Sequence, residues 1–225
     1  METKTNLVAY QGHGYPVWDV AWGSIGWYFA TASHDRTARL WTTDRVHPLR
    51  IFAGHLSDVD TVKFHPNSNY IATGSSDKTV RLWDIQKGNC VRVFTGHNGP
   101  ISALAFSPDG KLLASGGHDR KIMIWDIAEG RKLKSLYGHE NKIWSLDFSR
   151  EGNLLASGSH DHSVRLWNIN QVRNGAVQKG ISLPSKSSKP QKCPELLSSF
   201  FTKACPVIHV QFTWRNLLLG AGVHQ

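Results

Sequence analysis

A hydroxyl residue, a histidine and an aspartate recur together four times in this 225-residue chain. That trio can perform nucleophilic acyl transfer, in which a carboxylate orients an imidazole and the imidazole takes the hydroxyl proton. The residues are Thr31 with His13 and Asp35, Thr73 with His55 and Asp77, Ser115 with His97 and Asp119, and Ser157 with His139 and Asp161. Each residue of a set follows its counterpart by 42 positions. A nucleophile is needed once, so four copies at a fixed step point to a structural use, and no catalytic set is expected. His34, His118 and His160 each stand beside a turn aspartate. One per repeat separates them too widely to share an ion, and no metal site is expected. With no Gly-rich phosphate loop or carboxylate pair outside the repeat, neither an enzyme nor a cofactor is expected.

The elements that must hold these residues follow from the same period. Gly-His pairs fall at 12–13, 54–55, 96–97 and 138–139, and Trp41, Trp83, Trp125 and Trp167 keep the step. So do the apolar positions Val17, Val59, Ile101 and Ile143. Within a period the pattern reads as short strands between turn residues: 101–106, a Ser-Pro-Asp-Gly turn at 107–110, then 112–117, 121–125 and 132–137. A four-stranded sheet of this kind has two apolar faces and cannot bury both alone. Radial stacking of successive sheets as propeller blades solves that problem, and the fold class is all-β, a β-propeller of four-stranded antiparallel blades. Ala30, Ala72, Ala114 and Ala156 mark close packing on the second strand, and Trp22, Phe64, Phe106 and Phe148 are expected to fill space between neighbouring sheets.

Four segments result. Residues 1–10 are expected to supply the outer strand of a closing blade, through Leu7 to Tyr10, and 11–170 hold four full repeats. Residues 171–194, rich in Ser, Lys, Pro and Gln, read as a basic flexible insertion. Residues 195–225 give an outer strand and a partial final blade, where Gly220 stands in the Ser115 position, so no fifth set forms. Four full blades and a fragment suit the C-terminal portion of a larger propeller, with an adhesive edge at its first blade.

The net charge is +9, but residues 1–169 carry 19 Lys and Arg against 16 Asp and Glu, and residues 170–225 carry 7 against Glu195 alone. The excess is a property of the tail. A solvated loop accounts for Arg173, Lys179, Lys186, Lys189 and Lys192, and direct contact with nucleic acid is not expected. Cys90, Cys193 and Cys205 have no paired spacing. No apolar run of about 18 residues exists to span a bilayer, and the start lacks a signal-peptide core, so a soluble intracellular protein without a membrane partner is expected.

The Gly-His, the Ser/Thr-rich second strand, the Asp turn and the Trp-Asp ending resemble the WD-repeat family over roughly residues 7–170. The resemblance implies that each His, Ser/Thr, Asp and Trp form a hydrogen-bonded tetrad: His13, Thr31, Asp35, Trp41; His55, Thr73, Asp77, Trp83; His97, Ser115, Asp119, Trp125; and His139, Ser157, Asp161, Trp167. It also implies a partner-binding rim at Trp18, His34, Asp58, Asp60, Ser76, Ser102, His118, Lys142, Trp144 and His160. Trp18 and Trp144 are the sharpest candidates, since a large ring outside a core costs solubility unless something covers it.

More particular stretches run at 15–19, 33–41, 48–59 and 64–70, and again at 202–219. They are similar to the WD-repeat TATA-binding-protein-associated factors of TFIID and of SAGA-type coactivators. That family carries an N-terminal helical domain and further repeats beyond those found here. The resemblance implies a nuclear scaffold role, with protein subunits as partners, the histone-fold factors of the complex among them. A cytoplasmic adaptor, such as a ubiquitin-ligase substrate receptor, is the alternative from another functional class.

Overall fold

The computed structural model describes residues 8–175, 193–202, 205–213 and 215–222. Four antiparallel sheets of four strands follow one another along the chain. The first contains β1 (Val17–Trp22), β2 (Tyr28–Ser33), β3 (Thr37–Thr42) and β4 (Arg50–Ala53). The second contains β5 (Val59–Phe64), β6 (Tyr70–Ser75), β7 (Thr79–Asp84) and β8 (Cys90–Thr95). The third contains β9 (Ile101–Phe106), β10 (Leu112–Gly117), β11 (Lys121–Asp126) and β12 (Lys132–Tyr137). The fourth contains β13 (Ile143–Phe148), β14 (Leu154–Ser159), β15 (Ser163–Asn168) and, after a helix α1 (Asn170–Gly175), β16 (Leu196–Phe201). A two-stranded sheet of β17 (Val207–Phe212) and β18 (Leu218–Gly222) ends the series.

The inner strands pack in chain order, β1 on β5, β5 on β9, β9 on β13 and β13 on β17, which is the radial stacking of a propeller. Each blade boundary has its own apolar cluster, and the contacts repeat with the sequence. The second strand of one blade offers small residues to the apolar first strand of the next. A Cβ added at Gly74 would meet Ile101 and Thr61 at 2.8 Å, and one at Gly158 would meet Val207 at 2.8 Å. Ala30, Ala72, Ala114 and Ala156 are fully buried beside them. The facing residues Val59, Val62, Ile101, Leu104, Ile143, Leu146, Val207 and Val210 are all buried. Burial of this kind contributes roughly 25 cal/mol for each Å² of apolar surface removed from water.

Among the described residues, blade 1 has no such partner on its outer face. Val17 and Val20, the counterparts of Val59 and Val62, are 44% and 49% exposed. The same absence corrects one expectation: Trp22 is 59% exposed and fills no space between sheets, whereas Phe148 is buried and Phe64 and Phe106 are half-buried. A second correction concerns the segment before the first Gly-His. Residues 8–10 form no strand, and residues 1–7 lie outside the described ones. Tyr10 instead packs on the rings of Phe29 and Trp41, at 4.9 and 5.8 Å, and its hydroxyl donates to the Thr43 carbonyl. The physical reason is a missing ladder: the β17–β18 sheet contains no third strand among the described residues, and an outer strand pairs with the third.

The insertion also differs from the expectation at its start. Residues 170–175 are helical rather than loop, and Val172 is buried against the cluster between blades 3 and 4. Lys179, Lys186, Lys189 and Lys192 lie outside the described residues.

Candidate functional site

Within each full blade the recurring residues meet. In blade 2 the Trp83 indole N–H donates to Thr73 Oγ1 at 2.8 Å, Thr73 Oγ1 lies 2.7 Å from His55 Nε2, and His55 Nδ1 lies 2.8 Å from Asp77 Oδ2. The same three distances are 2.9, 2.7 and 2.6 Å from Trp41 to Thr31, His13 and Asp35. They are 2.8, 2.8 and 2.9 Å through Trp125, Ser115, His97 and Asp119. From Trp167 through Ser157, His139 and Asp161 they are 2.9, 2.6 and 2.8 Å. The second and third strands, the turn between them and the loop entering the first are thereby joined, because Trp comes from the third strand, Ser/Thr from the second, Asp from the turn and His from the loop.

The direction of the chain follows from donor and acceptor counts. An indole N–H only donates, so the hydroxyl oxygen accepts from Trp and its one proton is left for the imidazole. His Nε2 then accepts, and Nδ1–H donates to the carboxylate. A neutral ring with its proton on Nδ1 is the form that lets the hydroxyl donate to the imidazole and the imidazole donate to the carboxylate. Burial acts in the same sense and lowers the pKa of His55 and of His139.

The arrangement has the bond order of a hydrolase triad but not its access. Thr73, Ser115 and Ser157 are fully buried and Thr31 is 7% exposed, and each oxygen already holds an indole N–H where an attacking lone pair would be. These hydroxyls can tie strands together and have no room to meet a substrate.

The aspartates hold more than the histidines. Asp77 Oδ1 accepts from Thr79 N at 2.9 Å and Thr79 Oγ1 at 2.7 Å, and Oδ2 accepts from Leu56 N at 3.0 Å. Burial raises the pKa of this carboxyl, but the bonds from Thr79, His55 and Leu56 outweigh it and bring it down to about 2. Each turn aspartate precedes a residue in the left-handed region: Arg36 at φ 65°, Lys78 at 70°, Arg120 at 65° and His162 at 62°. The Asx-type bond from the carboxylate to the N–H two residues on holds that turn in place. The hydroxyl at this place, from Thr37, Thr79 and Ser163, was not singled out from the sequence, although it keeps the 42-residue step. Lys121 replaces it in blade 3 and hides the pattern.

Trp18, Asp60, Ser102 and Trp144 lie on the inner strands, Asp58 and Lys142 directly precede inner strands, and His34, Ser76, His118 and His160 directly follow the second strands. A central channel of about 620 Å³ opens among residues of all five sheets. Trp18, Asp60, Ser76, Ser102, His118 and Trp144 line it. Trp18 is 54% exposed, with the His34 ring edge-on at 6.2 Å. Trp144 is half-buried, with the Lys142 ammonium 4.5 Å from its ring centroid and His118 at 5.8 Å. His34 Nδ1 lies 2.6 Å from Asp58 Oδ2 across blades 1 and 2, and Ser76 Oγ donates to Asp60 at 2.7 Å. Ser102 is engaged differently: its hydroxyl donates to the Ile143 carbonyl of the next blade at 2.5 Å. His160 stands apart from the channel, beside His162 at 6.2 Å.

Two outcomes are expected. Asp77→Ala should lower the free energy of unfolding in urea more than Asp119→Ala, by about 1 kcal/mol, because Asp119 lacks a hydroxyl donor two residues on. The second concerns pH. The folded pKa of His55 and of His139 lies below the ordinary 6.5, so the unfolded chain binds protons first as pH falls. Their contribution is complete above about pH 6.5 and is lost as pH falls through the lowered folded values. The Asp77 contribution persists further and is lost from the ordinary 3.8 down to about 2. A series of thermal melts from pH 8 to pH 3 should therefore show a flat midpoint above about pH 6.5 and a decline below it.

Residues 4–42, 46–84, 88–126 and 130–168, more than half of the chain, match the family described as WD domain, G-beta repeat. Over 69 residues the chain is 52% identical to transcription initiation factor TFIID subunit 5 of Caenorhabditis elegans, a stretch that is 31% of this chain and 10% of that protein. Over 59 residues it is 39% identical to WD repeat-containing protein 37 of Homo sapiens, covering 26% of this chain and 12% of that protein. The matched stretches thus span about a tenth of the length of these relatives. With four matched repeats folded as four sheets of one design, the chain belongs to the WD-repeat family.

Proposed function

We propose that this chain is a non-catalytic scaffold of a nuclear transcription complex of the TFIID or SAGA type, holding protein subunits together through the rim of its blades. The observation that carries the reading is the 52% identity to TFIID subunit 5. A physical argument supports it. The residues that could do chemistry are buried in four structural networks, whereas aromatic and charged side chains gather at the channel mouth, where loops on a rigid scaffold meet partners. Trp18 and Trp144 are of the type that dominates protein interfaces, and histone-fold subunits are the partners this reading names.

Affinity purification of the tagged chain from nuclear extract tests it: histone-fold and TATA-binding-protein-associated subunits are expected to co-purify, and their absence contradicts the reading. Replacement of both Trp18 and Trp144 by Ala is expected to weaken this capture by about 30-fold or more, the effect of losing a binding hot spot. The free energy of unfolding of that variant in urea should stay within about 1 kcal/mol of the parent, because Trp18 is exposed and Trp144 is only half-buried.

A further inference from the structure

Among the groups at the channel mouth, the charges are unevenly matched. Asp19 is engaged between blades 1 and 2: its Oδ2 accepts from Thr61 Oγ1 at 2.9 Å and Val62 N at 3.0 Å, and Lys63 Nζ lies 3.7 Å away. Asp60 lines the same channel and forms no ion pair among the described residues. Its hydrogen-bond partner is the Ser76 hydroxyl, on Oδ2. Burial, with Asp58 and Asp77 nearby, raises the pKa of this carboxyl, so a cation placed beside it would relieve an unfavourable charge.

The aromatic rings are unevenly matched too. Trp144 already carries the Lys142 ammonium at 4.5 Å, which shows that a ring at this position of the inner strand takes a cation. Trp18 occupies that position in blade 1 and Asp60 occupies it in blade 2, each 42 residues from its counterpart. Trp18 has the edge of His34 beside it and is otherwise open, at 54% exposure. An open indole and an unpaired carboxylate thus stand on adjacent inner strands, facing one cavity of about 620 Å³.

Resting on the rim-binding reading above, we propose that the mouth of the channel receives one arginine side chain of a partner protein, stacked on Trp18 and paired with the Asp60 carboxylate. Arginine suits this pair better than lysine. Its planar guanidinium stacks on an aromatic face while its fork binds a carboxylate through two parallel bonds, and it is the more weakly hydrated cation. Lys142 on the far side repels a second cation and directs the guanidinium to the blade 1 and blade 2 side.

The test uses the whole chain and a fluorescein-labelled peptide, Gly-Ser-Arg-Ser-Gly amide, with its lysine and citrulline analogues, followed by anisotropy. The arginine peptide is expected to bind at least tenfold more tightly than the citrulline peptide. Asp60→Asn and Trp18→Leu should each reduce its affinity at least tenfold while leaving the urea midpoint unchanged. Equal binding of the arginine and citrulline peptides, or full affinity in Asp60→Asn, overturns the site, and a lysine peptide binding as tightly as arginine overturns the guanidinium assignment. Loss of the arginine preference with intact capture of nuclear subunits removes this site and leaves the scaffold reading standing. An intact preference without capture does the reverse.

Discussion

A single hydroxyl oxygen in each blade, accepting from an indole and donating to an imidazole, is the constraint on which the rest of this structure depends. It takes a position where a polar atom is buried, which is costly unless every donor and acceptor is matched. Matching it fixes the neutral histidine, the histidine fixes the ionised aspartate, and the aspartate fixes a turn whose next residue is left-handed. Two strands, the turn between them and the loop entering the blade are thereby held in one register. The blade can then present a flat face of small residues to the apolar first strand of its neighbour.

This also separates the two uses of the chain. The residue types most capable of chemistry are enclosed by the fold and act on the fold, while the ends of the inner strands remain at the channel mouth. Ser102 and Ser145 illustrate the border between the two: both are first-strand hydroxyls, and both bond the backbone of the next blade. Among the described residues, Trp18 and Asp60 carry no such tie across blades. The few first-strand positions that inter-blade packing leaves open are where we propose that recognition occurs.

Much of this was legible in the sequence, because a 42-residue step repeated in four residue classes constrains strands, turns and packing together. The strands of blade 3 fall at 101–106, 112–117, 121–126 and 132–137, within a residue of their expected bounds. What escaped notice depended on neighbours rather than on the repeat. Trp22 has the same sequence environment as Phe148, yet one is exposed and the other buried, since burial requires a neighbouring blade and no blade precedes blade 1 among the described residues. Tyr10 is found on Phe29 and Trp41 for a similar reason: an outer strand needs a third strand to pair with. The helix at 170–175 was obscured by polar composition, and its anchor is the single apolar residue Val172. Trp144 was visible as a large ring, but its engagement by Lys142 was not, because Lys142 precedes the strand that carries Trp144 and its position depends on the loop backbone.

The direction of the hydrogen-bond chain is tested most directly by nitrogen-15 NMR of the imidazoles of His55, His97 and His139 at neutral pH. A neutral ring carrying its proton on Nδ1, with that proton slow to exchange, is the predicted result. An imidazolium, or a proton on Nε2, would contradict it, because the buried hydroxyls could not then donate to the imidazole.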